Sequence, residues 1–311
     1  MRTAFVNKLM ELASKDERIV LITGDMGFPM FDEFKKLYPD RYYNMGIAEQ
    51  NMIGVAAGLA MRGKKPYVYS IIPFLIMRSY EQVRVDICYH NLDIKLIGSG
   101  GGVAYGAAGA TDHAIEDLSL MRGLPNMDVI SPGDPYEAKN ALQKSYENNN
   151  PTYIRLSKNN EPMLHSNLKD ENFKIGKSIC MKEGKNIAIL ATGNILEQAQ
   201  NISNKLENMK INNALYSFHT IKPIDKERLL EIYMNFKYIV VLEEHTIHGG
   251  LYSSIMEEYG KGDLNSYTTE KILSISINDV FSHHIGSQEN LRKFFEIDEE
   301  SVISKIYKMI T

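Results

Sequence analysis

The stretch YNMGIAEQNMIGVAAGLAM (residues 43–61) carries a single charge in nineteen residues, the carboxylate of Glu49. YNMG reads as a strand end or loop that turns into a helix starting near Ala48. A strand feeding directly into a helix is the repeating step of an α/β fold. Glu49 then lies in the first helical turn, where the helix dipole favours a negative charge. The plain account is a first-turn or capping acid that stabilises its own helix. The neighbours argue for more: Gly54, Ala56, Ala57, Gly58 and Ala60 are all small. Glycine inside a helix costs about 1 kcal/mol against alanine, so two of them imply close approach by another backbone, as at an intersubunit seam. A lone acid in so apolar a setting is costly to desolvate and seldom serves packing. That marks Glu49 as a candidate functional carboxylate, suited to sharing a proton with a bound heterocycle.

Working outward, short β-branched runs alternate with helical patterns, which predicts parallel sheets covered by helices. RIVLITGD, KPYVYSI, LDIKLIGSG, MDVISPGD and TYIRLSK read as strands; AEQNMIGVAAGLAMRG, RSYEQVRVDICYHN, AIEDLSLMRGL and DPYEAKNALQKSYENN read as helices between them. Periodicity fades in the polar stretch after TYIRLSK. A second series follows: NIAILATG, helix NILEQAQNISNKLE, NNALYSFHTIKP, YIVVLEEH, helix GGLYSSIMEEYG and KILSISIN. The expectation is two α/β domains, each a mainly parallel sheet flanked by helices: residues 1–165, a linker over 166–184, and 185–311. A chain of 311 residues is long for one core, which agrees.

Composition narrows the function class. The apolar fraction of 44% and charged fraction of 24% are those of an ordinary globular protein, and the net charge of −4 gives no reason to expect nucleic acid or membrane as partner. No apolar run approaches the roughly 18 residues that span a bilayer. The N-terminal MRTAFVNKLMELASK puts Phe5, Leu9 and Leu12 on one helical face and reads as an amphipathic helix rather than a signal peptide. Cys88 and Cys180 are far apart in sequence and fit a reduced, cytoplasmic protein.

Several phrases together resemble the C-terminal half of the thiamine diphosphate-dependent transketolase family. They are GDMGFPMFDEFKKLYPDRYYNMGIAEQNMIGVAAGLAMRGKKPYVYS, MRSYEQVRVDICYHNLDIKLIG, HAIEDLSLMRGLPNMDVISPGDP, PTYIRLS and VVLEEHTIHGG, in register over about residues 1 to 260. The nearest likeness is to split members, in which one chain holds the pyrimidine-binding domain and the C-terminal domain. The resemblance implies that Glu49 hydrogen-bonds N1′ of the cofactor aminopyrimidine and favours the tautomer that lets the cofactor shed its C2 proton. It implies transfer of a two-carbon ketol or acyl unit between sugar-type substrates. A decarboxylating synthase-like transferase that uses a 2-oxo acid donor is the alternative within enzymes. A degenerate scaffold subunit is the alternative outside them.

The resemblance also names a pocket. Members stack an aromatic ring on the pyrimidine in the stretch matching YSIIPFLIMRSYEQ, which makes Phe74 the candidate, against an ordinary core Phe. Arg78 lies near the cofactor or pairs with Glu81 or Glu49. Where sugar-phosphate members carry DGPTH, this chain has AGATD at residues 108–112 followed by His113. Ala108 thus replaces the leading Asp, and Asp112 replaces the His. A further upstream His of pentose-phosphate enzymes falls at Gly100, and the phosphate-binding Arg falls at Lys158. Lysine holds a phosphate as a point charge, not bidentately. These departures disfavour pentose-phosphate substrates. They leave His113 as the candidate acid/base or a structural loop His, Asp112 as a substrate contact or a cap for AIEDL, and Lys158 as the anion contact.

One family motif is missing. The diphosphate domain's GDG followed by Asn is only imitated by Gly24–Met26 with Asn51, a stretch that matches the opening of the pyrimidine domain instead. The resemblance therefore implies a partner chain that holds the diphosphate and Mg²⁺, with this chain as a homodimer within a heterotetramer. Three smaller features remain. ATGN (191–194) is a strand–turn–helix connector or an anion cradle; His245 and His248 in EEHTIHGG belong to a Gly-Gly turn rather than a metal site; His283 and His284 read as a solvated loop.

Overall fold

The computed structural model describes residues 1–27, 29–158, 161–166, 168–261 and 271–311. The first part runs α1 (Arg2–Lys15), β1 (Ile19–Thr23), α2 (Asp32–Leu37), β2 (Tyr42–Asn44), α3 (Glu49–Met61), β3 (Lys65–Ile71), α4 (Tyr80–Gln82), β4 (Lys95–Ser99), α5 (Asp117–Arg122), β5 (Asp128–Ile130), α6 (Pro135–Asn148) and β6 (Thr152–Leu156). The second runs β7 (Ile179–Lys182), β8 (Ile187–Thr192), α7 (Leu196–Asn208), β9 (Asn213–Ser217), β10 (Thr220–Lys222), α8 (Lys226–Asn235), β11 (Tyr238–Thr246), α9 (Leu251–Gly260), β12 (Ile272–Ile277), α10 (Gln288–Phe294) and α11 (Glu299–Ile310).

Two mainly parallel sheets result, a seven-stranded one ordered β10-β5-β6-β4-β3-β1-β2 and a five-stranded one ordered β12-β11-β8-β9-β7. β1, β3, β4, β5, β6, β8 and β9 are buried along their whole length, which is why they read as unbroken apolar runs. Helix starts follow local chemistry. Asp134 caps α6 by accepting the Glu137 N–H at 2.8 Å, with Pro135 at the first helical position, and Ser287 and Asp298 cap α10 and α11.

Three details differ from the sequence expectations. RSYEQVRVDICYHN is not one α-helix: the short α4 passes into π winding over Val83–Tyr89, and Pro73–Met77 is π-wound too, the Arg78 N–H reaching the Pro73 carbonyl. The expected linker at 166–184 ends in β7, an edge strand antiparallel to β9. NNALYSFHTIKP divides: β9 stays in the second sheet, while β10 crosses over and pairs antiparallel with β5 of the first. An apolar core accordingly runs between the domains, with Leu118, Met121 and Val129 packed in one cluster with Phe218, Ile221 and Leu251. Among the described residues no helix is long and apolar enough to cross a membrane.

Candidate active site

Most residues singled out in the sequence follow a parallel strand of the first sheet; contacts join Gly24, Glu49, Arg78 and Phe74 in one group, and Gly100 and Lys158 meet through Tyr105 in another. Gly24 follows β1, Glu49 follows β2, Phe74 and Arg78 follow β3, Gly100 follows β4 and Lys158 follows β6. In open parallel sheets ligands bind in the crevice outside the carboxyl ends of the strands, where the strand order reverses. Here β2 lies on one side of β1 and β3 on the other.

Glu49 is the first residue of α3 and is 1% exposed. Its Oε2 accepts a hydrogen bond from Arg78 Nη1 at 2.8 Å, which resolves the pairing of Arg78 in favour of Glu49 over Glu81. Among the described residues no donor reaches Oε1, and a Cβ built at Gly24 would stand 3.6 Å from it. Glycine at 24 therefore keeps the approach to that oxygen clear. The Phe74 ring is half-buried, and the Arg78 guanidinium lies 5.3 Å from its centroid. Both sit on or beside the π-wound turn Pro73–Met77, a form of winding that recurs at functional sites. On the outer side of α3, a Cβ at Gly54 or Gly58 would meet nothing within 4 Å, whereas Met52, Ile53, Ala56 and Ala57 are buried. The glycine face is open to a close neighbour.

The loop after β4 carries Asp112 and His113. His113 is buried, and its Nε2 has no hydrogen-bond partner. Burial pushes its imidazole below the ordinary histidine range, against a smaller upward pull from the Gly106 backbone and Asp112. Burial thus favours the uncharged form of the ring, whose Nε2 is left without a partner. Asp112 is half-buried and accepts from Thr111 Oγ1 at 2.9 Å; it does not cap AIEDL, because α5 begins at Asp117 behind Glu116. Lys158 is exposed, its Nζ 4.4 Å from the Tyr105 ring centroid.

Sequence reasoning missed what holds this loop. Glu244, fully buried at the end of β11, accepts the Val103 N–H at 2.8 Å, the Asn194 Nδ2 at 3.2 Å and the Arg292 Nε at 2.6 Å. Asn194 Nδ2 also donates to the Gly101 carbonyl at 3.1 Å, and the Thr246 N–H donates to the Ile115 carbonyl at 2.8 Å. Beneath them Arg155 makes two hydrogen bonds to Asp117, at 2.8 and 3.1 Å, and others to the carbonyls of Ala114 and Glu244. Two signals could have pointed here: an arginine inside the apolar run TYIRLS, and paired acids closing YIVVLEE.

The remaining sequence features separate from this crevice. The ATGN turn docks on the first domain, the Gly193 N–H donating to the Ser131 carbonyl at 3.0 Å, so that this amide serves as a connector. His245 is buried in β11 with Nδ1 2.7 Å from the Thr246 carbonyl, while His248 is exposed. His283 and His284 are both exposed. Cys88 and Cys180 are free thiols. Among the described residues no group of three or more His, Cys, Asp or Glu is placed to hold a metal ion.

Known proteins match this arrangement along its length. Residues 1–163 match the family "Transketolase, pyrimidine binding domain" and residues 176–302 "Transketolase, C-terminal domain". The chain is 33% identical to one of the subunits of the apulose-4-phosphate transketolase of Actinobacillus succinogenes, over 87% of this chain and 85% of that one. It is 31% identical to a 6-deoxy-6-sulfo-D-fructose transketolase subunit of a Clostridium species, over 99% and 94%. A solved structure titled as a split gene transketolase, inactive β4 tetramer, superposes with a TM-score of 0.87 at 32% identity, over 99% of this chain and 97% of that one. With both domain families matched in order and full-length relatives above the identity at which fold and descent go together, the chain belongs to the transketolase family.

Proposed function

We propose that this chain supplies the pyrimidine-binding and C-terminal domains of a two-chain, thiamine diphosphate-dependent transferase that moves a two-carbon ketol unit between sugar-type substrates. The observation that carries the reading is the buried Glu49 carboxylate, with one oxygen fixed by Arg78 and the other left clear by Gly24. That donor set fits an aminopyrimidine. Oε1 exchanges a proton with the ring nitrogen, Phe74 covers the ring and excludes water, and Arg78 keeps the carboxylate aimed. When bound, the cofactor supplies the nucleophilic carbon that carries the two-carbon unit. His113, its uncharged form favoured by burial, takes or returns a proton at a substrate oxygen. Asp112 meets a substrate hydroxyl as an acceptor, and Lys158 meets an anionic end.

The diphosphate end of the cofactor and its Mg²⁺ fall to a partner chain, since the two families matched here are the pyrimidine-binding and C-terminal domains. Two relatives named as transketolase subunits and a solved assembly of one chain type titled inactive support a requirement for that partner. The four-copy assembly and the open Gly54–Gly58 face of α3 support self-association of this chain within a heterotetramer.

The test is reconstitution with the chain that co-purifies from the native cell and carries a diphosphate-binding domain. The assembled wild type binds thiamine diphosphate with Mg²⁺ and turns over a ketol donor. Glu49→Gln keeps the assembly and loses about 10²–10⁴-fold in turnover, the usual worth of a positioned acid/base. A wild-type assembly that binds no thiamine diphosphate, or a Glu49→Gln assembly with full turnover, rejects the proposal.

A further inference from the structure

Away from the crevice, three pieces of chain meet on two buried acids at the start of α6. Asp134 and Glu137 have no exposed surface. Asp134 Oδ2 accepts the N–H groups of Leu164 and His165, in the connecting segment after β6, at 2.8 and 3.0 Å. Glu137 Oε2 accepts the Gly133 N–H at 2.7 Å. Its Oε1 accepts the hydroxyl of Ser217, at the end of β9 in the second domain, at 2.6 Å. The two carboxylates thus join the first domain, the connecting segment and the second domain.

The buried His165 ring lies between these acids, with Nδ1 3.0 Å from Asp134 Oδ2 and Nε2 3.6 Å from Glu137 Oε1. Neither nitrogen makes an aligned hydrogen bond, so charge is what holds the ring in place. A neutral imidazole has one N–H and one lone pair, and one of the two carboxylates would then face the lone pair. Only the imidazolium presents an N–H to both. The other charged groups around the ring are occupied: Lys8 pairs with Glu11 of α1, and Lys139 of α6 pairs with Asp170. These four side chains line, together with His165, a cavity of about 460 Å³, which gives the imidazolium proton a way out. His219 also faces the group, and burial together with repulsion from His165 keeps it uncharged.

We propose that Asp134, His165 and Glu137 form a proton-operated latch. The imidazolium between the two carboxylates locks the connecting segment onto α6 beside β9, and loss of its proton at mildly alkaline pH releases that segment and loosens the seating of the second domain. Burial disfavours charge on His165, but Asp134 and Glu137 outweigh it and hold the imidazole above the ordinary histidine range. The latched chain therefore keeps a proton that a released one gives up at about 6.5. The latch is at full strength below about 6.5 and weakens as pH rises through the raised native value. Burial also pushes Glu137 up to about 7, so the group as a whole sheds protons in the neutral to alkaline range. Asp134 has the opposite sign. Burial raises it, but His165 and the backbone donors hold it below the usual carboxylate range, so it undoes the latch only at the acid end.

The test follows one peptide of the full chain, that carrying Leu164 and His165, by mass spectrometry from pH 6 to 9. Exchange of the imidazole C2 hydrogen reports the protonation of His165. Exchange of the backbone amides, divided by the intrinsic rate at each pH, reports how firmly the segment is held. His165 loses its proton above about 6.5, and amide protection falls in step, by up to about tenfold per pH unit. In His165→Gln the protection of this peptide at pH 6.5 is already lower by about tenfold or more, while peptides of β3 and β4 keep theirs. A His165 that titrates at or below about 6.5 overturns the proposal. So does wild-type protection that stays constant while His165 deprotonates, or His165→Gln with wild-type protection. Should His165→Gln fold poorly, the two wild-type measurements decide. They need neither partner nor cofactor, so their outcome is independent of the proposed transfer chemistry.

Discussion

Glu244 accepts the backbone N–H of Val103 at 2.8 Å, across 141 residues of sequence and from one domain into the other. Through this bond the second domain grips the loop that carries Tyr105, Asp112 and His113. The fit is close: Gly102 has φ +68°, and a Cβ there would run into the Glu244 carboxylate. Glu244→Ala leaves the Arg292 guanidinium and the Val103 and Asn194 donors without their shared acceptor. The expected cost is about 3–5 kcal/mol, the range for breaking a buried ion pair from one side. Gly102→Ala adds backbone strain to the collision and costs about 1–3 kcal/mol. Urea unfolding of the full chain measures both, and hydrogen exchange should show lost protection over residues 101–115.

The Arg155–Asp117 pair lies under the same loop with no exposure on either carboxylate or guanidinium beyond 2%. Tyr153 donates a further bond to Asp117 at 2.7 Å. Arg155→Met keeps the length of the side chain but strands the Asp117 carboxylate in the core. Loss of about 3–5 kcal/mol is expected. Since Arg155 also binds the Glu244 carbonyl, its removal weakens the contact between domains. Calorimetry should show one transition in the wild type and a broadened or split one in Arg155→Met.

The two domains and their buried strands were legible in the sequence because strands covered on both faces must be continuous apolar runs. Glu49 stood out for the same reason, as the one charge among small apolar residues. β7 was hidden because it is an antiparallel edge strand, largely half-buried, which needs no apolar run and sits in polar sequence. The π winding at Pro73–Met77 and Val83–Tyr89 was hidden because over one or two turns it shares the apolar spacing of an α-helix. The Glu244 network depends on residues that only the finished fold brings together. A local pattern carries no signal for a partner 141 residues away.

Arg78 is half-exposed, yet the carboxylate it binds is 2% exposed. Arg78→Ala removes the donor that holds Oε2 and leaves a buried acceptor unpaired, at a cost of about 1–3 kcal/mol. Arg78→Lys keeps the charge but not the planar donor group and should fall between alanine and wild type. The comparison is made by urea unfolding of the isolated chain. Equal stability of all three would mean that the 2.8 Å contact contributes nothing measurable.

His219 gives the fold a defined acid limit. It is fully buried, stacked 4.0 Å from the Phe173 ring, with Nδ1 2.9 Å from Thr220 Oγ1. Burial, reinforced by repulsion from His165 and opposed by Asp134, pushes its imidazole down to about 3. The unfolded chain takes up a proton there near the ordinary histidine value of about 6.5, whereas the native chain does not until about 3. The native state therefore binds fewer protons across that window, and stability falls as pH falls from about 6.5 towards 3. The slope from this one group approaches 1.4 kcal/mol per pH unit. His219→Phe retains an aromatic ring against Phe173 and has nothing to protonate. Urea unfolding at pH 7, 5.5 and 4.5 should show the wild type losing stability more steeply than the variant, with the gap widening at each step down. Parallel pH profiles would place the acid sensitivity elsewhere, in the neighbouring group of Asp134, Glu137 and His165, where His165 Nδ1 stands 3.0 Å from the Asp134 carboxylate.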